Sequence, residues 1–266
     1  MAPSLRQCWV DGRLQPIEAP ALRADDFALC EGRGCFTTAR VRSGRPVWLE
    51  RHVERVCRDA AGLGLGPLDP EMCRRALVEL SAAAFGAGDG VLRLHASRDG
   101  YAQTHLFAVP RALPAPKAVW SAQVSASPHP GPGPACTGAK TSSRLVYALA
   151  LEAAERAGAD EAVLIDASGH VVEGAVSNLF WVGADGVLAT PPLSRGAVAG
   201  VTRAVARERD PAIPERDVRA DAPLRELIAV NAVRGAVPIV RLDDRPVGDG
   251  RAGPGASHLA ELLARD

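Results

Sequence analysis

Apolar and polar residues alternate in short runs through the first part of the chain, and this pattern changes twice to a helical period. The stretch 7–14 is typical of a β-hairpin with Asp11-Gly12 as its turn. From Glu50 the apolar residues recur every three or four positions, which predicts a helix that ends at Gly62. Asp69-Pro70 predicts the start of a second helix, running to about Phe85. Further strands are predicted at 35–41, 46–49, 90–95 and 104–109, so this part mixes helices with a mostly antiparallel sheet.

Three prolines between Pro110 and Lys117 indicate a boundary, which we place between domains 1–112 and 113–266. The Pro- and Gly-rich stretch 127–134 has to be irregular. Ser142 or Ser143 is predicted to cap the next helix, with an apolar face formed by Val146, Leu149, Ala150, Ala153 and Ala157. The remaining pattern predicts helices at 201–209 and 256–264 and strands at 118–125, 161–165, 171–172, 178–182, 187–189, 227–231 and 236–240.

Composition narrows the class of protein. The 266 residues contain 47% hydrophobic and 23% charged residues, as in an ordinary globular protein. The net charge is zero, so we expect no electrostatic nucleic-acid surface. No stretch reaches the roughly 20 apolar residues of a membrane span, and no signal region is evident at the start, so we expect a cytoplasmic protein without a membrane partner. The six cysteines and six histidines show no metal-ligand spacing, so we expect no metal site.

Lysine usage singles out one residue. Of the 31 basic residues only Lys117 and Lys140 are lysines. Arginine can replace lysine wherever only a charge is needed, whereas a lysine amine can lose its proton and attack a carbonyl. Lys117 lies in the proline-rich linker and is expected to be exposed. Lys140 lies between an irregular loop and a predicted helix, which makes it the candidate for chemistry.

Three more polar features lie at the ends of short predicted elements, where functional groups often occur. Glu173 emerges from a strand into a glycine-containing turn, and Thr202 begins a helix after a loop of small residues, where N–H groups and a hydroxyl suit a phosphate. Arg234 follows an apolar strand in Asn231-Ala-Val-Arg-Gly. Each feature also has an ordinary interpretation, as a solvated turn residue, a helix cap or a surface charge.

Several motifs in order along the chain carry a family resemblance. They are Gly34-Cys-Phe-Thr-Thr-Ala-Arg-Val, His52-Val-Glu-Arg, Lys140-Thr-Ser-Ser-Arg-Leu, Gly158-Ala-Asp-Glu-Ala-Val-Leu-Ile-Asp, Gly169-His-Val-Val-Glu-Gly-Ala-Val-Ser-Asn-Leu-Phe, Thr190-Pro-Pro-Leu, Gly200-Val-Thr-Arg and Asn231-Ala-Val-Arg-Gly. With them the chain resembles the fold-type IV pyridoxal-phosphate enzymes over nearly its whole length. The resemblance implies a two-domain α+β fold like that of D-amino-acid transaminase, with the cofactor in the interdomain cleft, and a homodimer.

The resemblance also implies roles for individual residues. Lys140 would hold pyridoxal 5'-phosphate as a Schiff base and then, once displaced, move protons. Glu173 would pair with the pyridine nitrogen and keep it protonated, so that the ring accepts electrons. The remaining cofactor-binding residues implied by the family are Arg55, Val201 and Thr202 at the phosphate, with Asn178 as local support.

The motifs around Gly34, Lys140 and Asn231 look most like those of 4-amino-4-deoxychorismate lyase. This resemblance implies a small-molecule amine substrate that is converted to 4-aminobenzoate and pyruvate, with 4-aminobenzoate feeding folate synthesis. Two regions depart from the family pattern. Glu31 replaces the aromatic residue that usually precedes Gly-x-Gly, and the segment 97–101 shortens a glycine-rich stretch. Both regions are expected to face the substrate, so the preferred amine can differ.

Substrate carboxylates need cationic partners, and arginine binds them bidentately. The candidates are Arg98, Arg234 and Arg40. Two other functions stay open at this point. One is a class IV aminotransferase that acts on D-amino acids or branched-chain amino acids and requires a keto-acid acceptor. The other is a binding module without cofactor, against which the presence of both Lys140 and Glu173 argues.

Overall fold

The computed structural model describes residues 5–131 and 138–264, and the chain divides into two compact units. The first unit comprises the chain through Ala115 together with the short segment Ala139–Ser143, and the second unit comprises the rest. The first unbroken stretch thus ends close to the predicted boundary, whereas the return of Ala139–Ser143 to the first unit was not predicted. Of the Pro/Gly-rich segment, residues 132–134 lie outside the described residues.

The first unit is built on a six-stranded sheet. Its strands are β1 (Gln7–Val10), β2 (Arg13–Pro16), β3 (Cys35–Arg42), β4 (Arg45–Pro46), β5 (Gly90–Arg98) and β6 (Thr104–Arg111), and its helices are α1 (Phe27–Cys30), α2 (Leu49–Gly62) and α3 (Pro70–Phe85). The strand order is β2-β1-β6-β5-β3-β4, with every neighbouring pair antiparallel. The predicted hairpin, the antiparallel sheet and the two long helices are therefore confirmed.

Helices α2 and α3 cover one face of this sheet. Cys35 and Val41 of β3 and Leu92 and Leu94 of β5 belong to the core cluster that these helices complete. The predicted strand at 46–49 is wrong beyond Pro46. Because Trp48 adopts the left-handed region at φ 51°, the chain turns there and α2 begins at the next residue.

The second unit contains an eight-stranded mixed sheet. Its strands are β7 (Trp120–Val124), β8 (Glu161–Ile165), β9 (Val171–Gly174), β10 (Asn178–Val182), β11 (Leu188–Ala189), β12 (Glu226–Asn231), β13 (Gly235–Leu242) and β14 (Arg245–Pro246). Its helices are α4 (Leu145–Arg156), α5 (Val201–Arg209) and α6 (Pro254–Ala264), with a 3-10 turn at Leu193–Arg195. The order is β11-β10-β12-β13-β7-β8-β9, and β14 pairs with β13. β7 runs parallel to both β13 and β8, while the other pairs are antiparallel.

The central strands of this sheet are buried on both faces. Every residue of β10 is buried, as are the first five residues of β12, and α5 and α6 pack on β12. Strands with two covered faces read as continuous apolar runs rather than as alternating ones. This explains why Leu179–Val182 and Leu227–Val230 lack alternation in the sequence.

Helix α4 exists as predicted, but its cap and its buried face differ. The cap position is Arg144, which makes no side-chain capping hydrogen bond. Ala150 and Ala154 are buried against β8, whereas Leu149 is 53% exposed. In an alanine-rich helix the apolar periodicity does not select one face, because small residues occur on both sides.

Two further properties concern the described part of the chain alone. None of its helices combines the length with the apolar character that a membrane crossing requires. Within residues 5–131 and 138–264, no group of three or more His, Cys, Asp or Glu side chains is arranged to hold a metal ion.

Candidate active site

Lys140 lies in a short extension of the sheet in the first unit. Its carbonyl accepts a hydrogen bond from the N–H of Phe36 (2.9 Å), and its own N–H donates to the carboxylate of Asp59 (3.0 Å). Thr141 forms an antiparallel bridge with Cys35, so that Lys140 and Phe36 point to the same face of the sheet. The Nζ atom lies 5.0 Å from the centroid of the Phe36 ring. The backbone of Lys140 is thus fixed from both sides.

A glycine allows this close approach. A Cβ atom on Gly34 would lie 2.7 Å from the Oγ atom of Ser142 and 2.7 Å from the Cβ atom of Ala28. The N–H of Ser142 donates to the carbonyl of Gly34 (2.8 Å), which completes the bridge next to Lys140. Gly34 therefore has a steric role in the resemblance motif.

Arg55 lies on α2, one turn before Asp59, and is almost fully buried. Its Nη2 atom donates to the hydroxyl of Thr37, which also lies 2.7 Å from Nδ1 of His52. Burial, and secondarily the charge of Arg55, hold the pKa of His52 well below its ordinary value, so its ring is neutral at pH 7. The Thr37 hydroxyl accepts from Arg55 and donates to His52.

The guanidinium of Arg55 keeps unused capacity to bind an anion. Burial lowers its pKa to about 10, with Asp59 opposing the effect, so the group stays charged at neutral pH. Its buried Nε atom has no hydrogen-bond partner within the described residues. A buried donor without a partner is costly, and an anion would satisfy it.

Glu173 is the centre of the polar cluster in the second unit. Its side chain, at the end of β9, is 4% exposed. Oε2 accepts hydrogen bonds from the N–H of Val198 (3.0 Å) and from Nδ2 of Asn178 (3.4 Å), and Oε1 accepts from the hydroxyl of Tyr147 (3.1 Å). Nε2 of His129 lies 3.3 Å from the same Oε1. An ionised carboxylate can only accept hydrogen bonds, and this set of partners suits that state.

Asn178 connects this carboxylate with the start of α5. Its Nδ2 atom also donates to the carbonyl of Val198 (2.9 Å), and a Cβ atom on Gly200 would lie 2.0 Å from its Oδ1 atom. Gly200 is the cap residue of α5, where no side chain makes a capping hydrogen bond. Asn178 therefore fixes the loop from which α5 begins.

The N-terminus of α5 presents an anion-binding arrangement. Val201 is the first helical residue, and the first N–H groups of a helix are available to a phosphate. The buried hydroxyl of Thr202 has no hydrogen-bond partner among the described residues. An uncapped helix start and an unpartnered hydroxyl both fit a bound phosphate.

The two units thus hold separate groups of the predicted residues. In the first, the N–H of Lys140 donates to Asp59, which lies one turn after Arg55 on α2, and the second links Glu173, Asn178 and the start of α5. A lysine amine, a buried carboxylate and two sets of unpartnered anion donors match the aldehyde, the ring nitrogen and the phosphate of pyridoxal phosphate. The residues present therefore fit this cofactor.

Two of the three arginines proposed for substrate carboxylates, Arg98 and Arg40, lie far apart on the sheet of the first unit. Arg98 shares the helix-covered face of its sheet with Leu94, and its Nη1 atom donates to the carbonyl of Gly64 (3.1 Å), so it does not point to the face that holds Lys140. Arg40 pairs with Val91 at the far end of β5, roughly 20 Å from Arg98 at about 3.3 Å per residue. The role of each arginine in binding a substrate carboxylate stays a prediction.

Arg40 and Arg234 occupy different surroundings. Nη2 of Arg40 lies 3.7 Å from the carboxylate of Asp89, and its side chain is only partly exposed. Arg234 belongs to the second unit, where its N–H donates to Oδ1 of Asn231 (2.9 Å) and its guanidinium lies 5.6 Å from the centroid of the Trp120 ring. The turn at Asn231 thus fixes the backbone of Arg234.

Sequence reasoning missed the residues that support the predicted ones. Thr37 and His52 lie inside quoted motifs, but nothing in their spacing shows that they contact Arg55. His129 and Tyr147 surround Glu173 from the irregular loop and from α4. Among these missed residues, only His129 offered a sequence signal, as an isolated histidine in a Pro/Gly-rich segment.

Comparisons with known proteins agree with this arrangement. The family model described as amino-transferase class IV matches residues 34–242. A bifunctional aminodeoxychorismate lyase / D-amino acid transaminase of Mycobacterium tuberculosis is 32% identical over 216 residues, which cover 73% of this chain and 74% of the relative. A D-alanine aminotransferase of Staphylococcus aureus is 28% identical and covers 93% of each chain.

Solved structures show the same fold. A hypothetical aminotransferase from Mycobacterium tuberculosis in its PLP-bound form has a TM-score of 0.85 at 26% identity and covers 97% of both chains. The branched-chain aminotransferase of Thermoproteus uzoniensis has a TM-score of 0.83 at 27% identity. The match covers 97% of this chain and 93% of the aminotransferase chain. The predicted α+β fold is thereby confirmed. The chain belongs to the class IV aminotransferase family of fold-type IV enzymes, with pyridoxal 5'-phosphate as cofactor and small-molecule amines as the family's substrates.

Proposed function

We propose that the protein is a 4-amino-4-deoxychorismate lyase, which forms 4-aminobenzoate and pyruvate. The observation that carries the proposal is the 32% identity, over 73% of the chain, with a relative whose name includes this lyase activity. The motifs around Gly34, Lys140 and Asn231 agree with it. The use of 4-aminobenzoate as a precursor for folate synthesis is part of the same proposal.

The reaction balances without a second substrate. The ring loses the proton from its amine-bearing carbon, and the neighbouring carbon–oxygen bond breaks, so that the ring becomes aromatic. The departing enolpyruvate takes up a proton and becomes pyruvate. Bound pyridoxal phosphate supplies an aldehyde that condenses with the amine and a protonated ring that accepts electrons from the breaking carbon–hydrogen bond.

Lys140 is the proposed base in this reaction. Its peptide is held by Asp59 and Phe36, and its Nζ atom lies 5.0 Å from the centroid of the Phe36 ring. A base must present a neutral amine within reach of the proton that it removes. The fixed peptide limits the positions that the amine can sample, which favours one carbon of the substrate.

Glu173 is the proposed partner of the ring nitrogen. A negative charge beside the nitrogen favours its protonated form. At the phosphate, Arg55 supplies a full positive charge with an unpartnered Nε atom, and Val201 and Thr202 supply helix N–H groups and a hydroxyl. With these assignments the protonated ring nitrogen faces a negative charge, and the phosphate faces a positive charge and hydrogen-bond donors.

The proposed substrate carries two carboxylates, since each product retains one. Arg40 and Arg234 are the proposed partners for them, because arginine binds carboxylates bidentately. A monocarboxylate amine such as D-alanine needs only one such partner. Replacing either arginine by Lys should therefore raise KM for the lyase substrate more than KM for D-alanine.

The second candidate function is transamination of D-amino acids or branched-chain amino acids. The full-length similarity to a D-alanine aminotransferase favours the former of these substrate classes. A transaminase needs a keto acid to complete its cycle, whereas the lyase does not. An assay without a keto acid therefore separates the two activities.

The test uses purified holoenzyme with aminodeoxychorismate and no keto acid. We expect 4-aminobenzoate, measured by fluorescence, and pyruvate in equal amounts. Lys140→Ala should abolish both products, while Lys117→Ala is the matched control, because Lys117 is exposed and paired with Asp160. Borohydride reduction should fix the cofactor on the peptide that contains Lys140. If turnover occurs only with D-alanine and added 2-oxoglutarate, the transaminase function replaces the lyase function.

We also propose a cytoplasmic homodimer. The support is the family resemblance together with an apolar strip on α4, where Leu145 is 71% and Leu149 is 53% exposed. A second copy of the chain would remove this surface from water. Sedimentation velocity should give the mass of a dimer for the native chain, and Leu145→Glu with Leu149→Glu should shift it towards the monomer.

A further inference from the structure

The hydrogen bonds around Glu173 have a definite direction. The N–H of Gly131 donates to Nδ1 of His129 (3.0 Å), so Nδ1 carries no proton in the neutral ring and Nε2 carries one. This Nε2–H lies 2.9 Å from the hydroxyl oxygen of Tyr147, and that hydroxyl lies 3.1 Å from Oε1 of Glu173. An ionised carboxylate can only accept, so the Tyr147 hydroxyl donates to Glu173 and accepts from His129.

This chain of donors is held rigidly in the second unit. The side chain of His129 is 1% exposed and that of Glu173 is 4% exposed. The guanidinium of Arg144 lies 5.2 Å from the centroid of the Tyr147 ring and donates to the carbonyl of Ala175 (2.9 Å). The position of the ring therefore does not depend on the hydroxyl alone, and the hydroxyl can be removed without removing its packing.

The donors around Glu173 favour the ionised form of its carboxyl group. Each hydrogen bond to the ionised form stabilises that form, and hydrogen bonds in series strengthen one another in a medium of low polarity. Oε1 receives the Tyr147 hydroxyl, which is itself polarised by His129, and Oε2 receives the N–H of Val198. A carboxylate whose ionised form is held by such donors leaves the shared proton on the pyridine nitrogen that faces it.

We propose that His129 and Tyr147 are positioning residues that act through Glu173 to keep the proton on the pyridine nitrogen of the cofactor. The proposal rests on the assignment of Glu173 to this nitrogen under the proposed function, but not on the choice between lyase and transaminase. Both reactions need the protonated ring as electron acceptor. Neither residue is proposed to contact the reacting atoms.

The experiment reads the proton directly. Holoenzyme is prepared with pyridoxal phosphate labelled with ¹⁵N in the ring, and the ¹⁵N chemical shift reports whether the nitrogen is protonated. We expect a protonated signal in the native protein and a displacement towards the unprotonated value in Tyr147→Phe. The value of kcat should fall about tenfold, the equivalent of about 1.4 kcal/mol for one hydrogen bond to a charged group, with KM changed less than twofold.

Two substitutions of His129 separate its two hydrogen bonds. Gln places an amide N–H near the position of Nε2 and keeps the donor to Tyr147, whereas Asn keeps only an acceptor near Nδ1 for Gly131. His129→Gln should therefore retain a native ¹⁵N shift, and His129→Asn should move it in the same direction as Tyr147→Phe. If His129 only supports its loop, His129→Asn will be the milder change, and the proposal is wrong.

Glu173→Gln tests separately whether Glu173 faces the ring nitrogen, which is the assignment on which the roles of His129 and Tyr147 depend. If Glu173→Gln leaves the ¹⁵N shift unchanged, Glu173 does not face the ring nitrogen and the site assignment fails. If Glu173→Gln changes the shift but Tyr147→Phe does not, the assignment stands and the inference alone is overturned. Tyr147→Phe keeps the packed ring, so it decides the question even where a histidine variant does not fold.

Discussion

Replacing the buried carboxyl of Glu161 by an amide should remove a pH dependence from the stability of the protein. Glu161 lies at the start of β8 and is fully buried. Burial raises the pKa of its carboxyl from 4.5 to about 7, although the Ser177 hydroxyl (2.6 Å) and the N–H of Ala162 (3.0 Å) donate to it. Desolvation therefore outweighs the hydrogen bonds that favour the charged form.

The folded protein binds this proton more tightly than the unfolded chain does between pH 4.5 and 7. The free energy of unfolding consequently falls as pH rises through this window, by about 3 kcal/mol in all, because one pKa unit corresponds to about 1.4 kcal/mol. Below pH 4.5 the carboxyl is protonated in both states, so the free energy of unfolding no longer depends on pH through this group. Glu161→Gln cannot ionise, so it should lack this loss of stability.

The assay is urea unfolding followed by circular dichroism at a series of pH values from 4 to 8. The difference in free energy of unfolding between native protein and Glu161→Gln should change by about 3 kcal/mol in favour of the variant. Ser177→Ala removes a hydrogen bond that lowers the pKa of Glu161, so it should shift the same loss to higher pH. A difference that stays flat within about 0.5 kcal/mol would refute the reasoning.

Three further predictions concern close contacts and a second titration. Gly34→Ala places a Cβ atom 2.7 Å from Oγ of Ser142, so the free energy of unfolding should fall by about 1–3 kcal/mol, measured by urea unfolding. Gly200→Ala displaces Oδ1 of Asn178, which a Cβ atom would approach to 2.0 Å, and fluorescence titration should show about tenfold weaker binding of pyridoxal phosphate. Burial opposes protonation of His105, but hydrogen bonds to two aspartates raise its pKa above 6.5. Its stabilisation should be present below pH 6.5 and lost as pH rises through the higher folded value, and His105→Gln should lack this dependence in thermal melts.

Local sequence signals predicted the helices and strands whose start and period can be recognised from neighbouring residues. Helix α3 follows from Asp69 as cap and Pro70 at the first position, and the structure shows the Asp69 carboxylate accepting from the N–H of Glu71 (2.9 Å). Helix α1 was missed, because a helix of four residues carries no period. The predicted strand at 46–49 failed on the left-handed conformation of Trp48, which no propensity favours.

The candidate site was predictable only as far as the motifs name its residues. Glu173 and Thr202 could be proposed from their places at element ends. The partners of Glu173 could not, since Tyr147 and His129 come from separate segments and meet only after the sheet has formed. Arg98 was proposed because arginine binds carboxylates bidentately and the segment 97–101 was expected to face the substrate; in the structure its Nη1 atom donates to the carbonyl of Gly64.

The return of Ala139–Ser143 to the first unit has a consequence for synthesis and folding. This segment pairs with Gly34 and Phe36 at the edge of β3, and the N–H of Lys140 satisfies the buried carboxylate of Asp59. A nascent chain that has emerged only through Ala115 still exposes this strand edge and this carboxylate. The first unit thus cannot complete its folding during translation before Lys140 has emerged from the ribosome. A fragment cut at the linker should refold poorly, and a peptide spanning 139–143 added in trans should restore the missing edge.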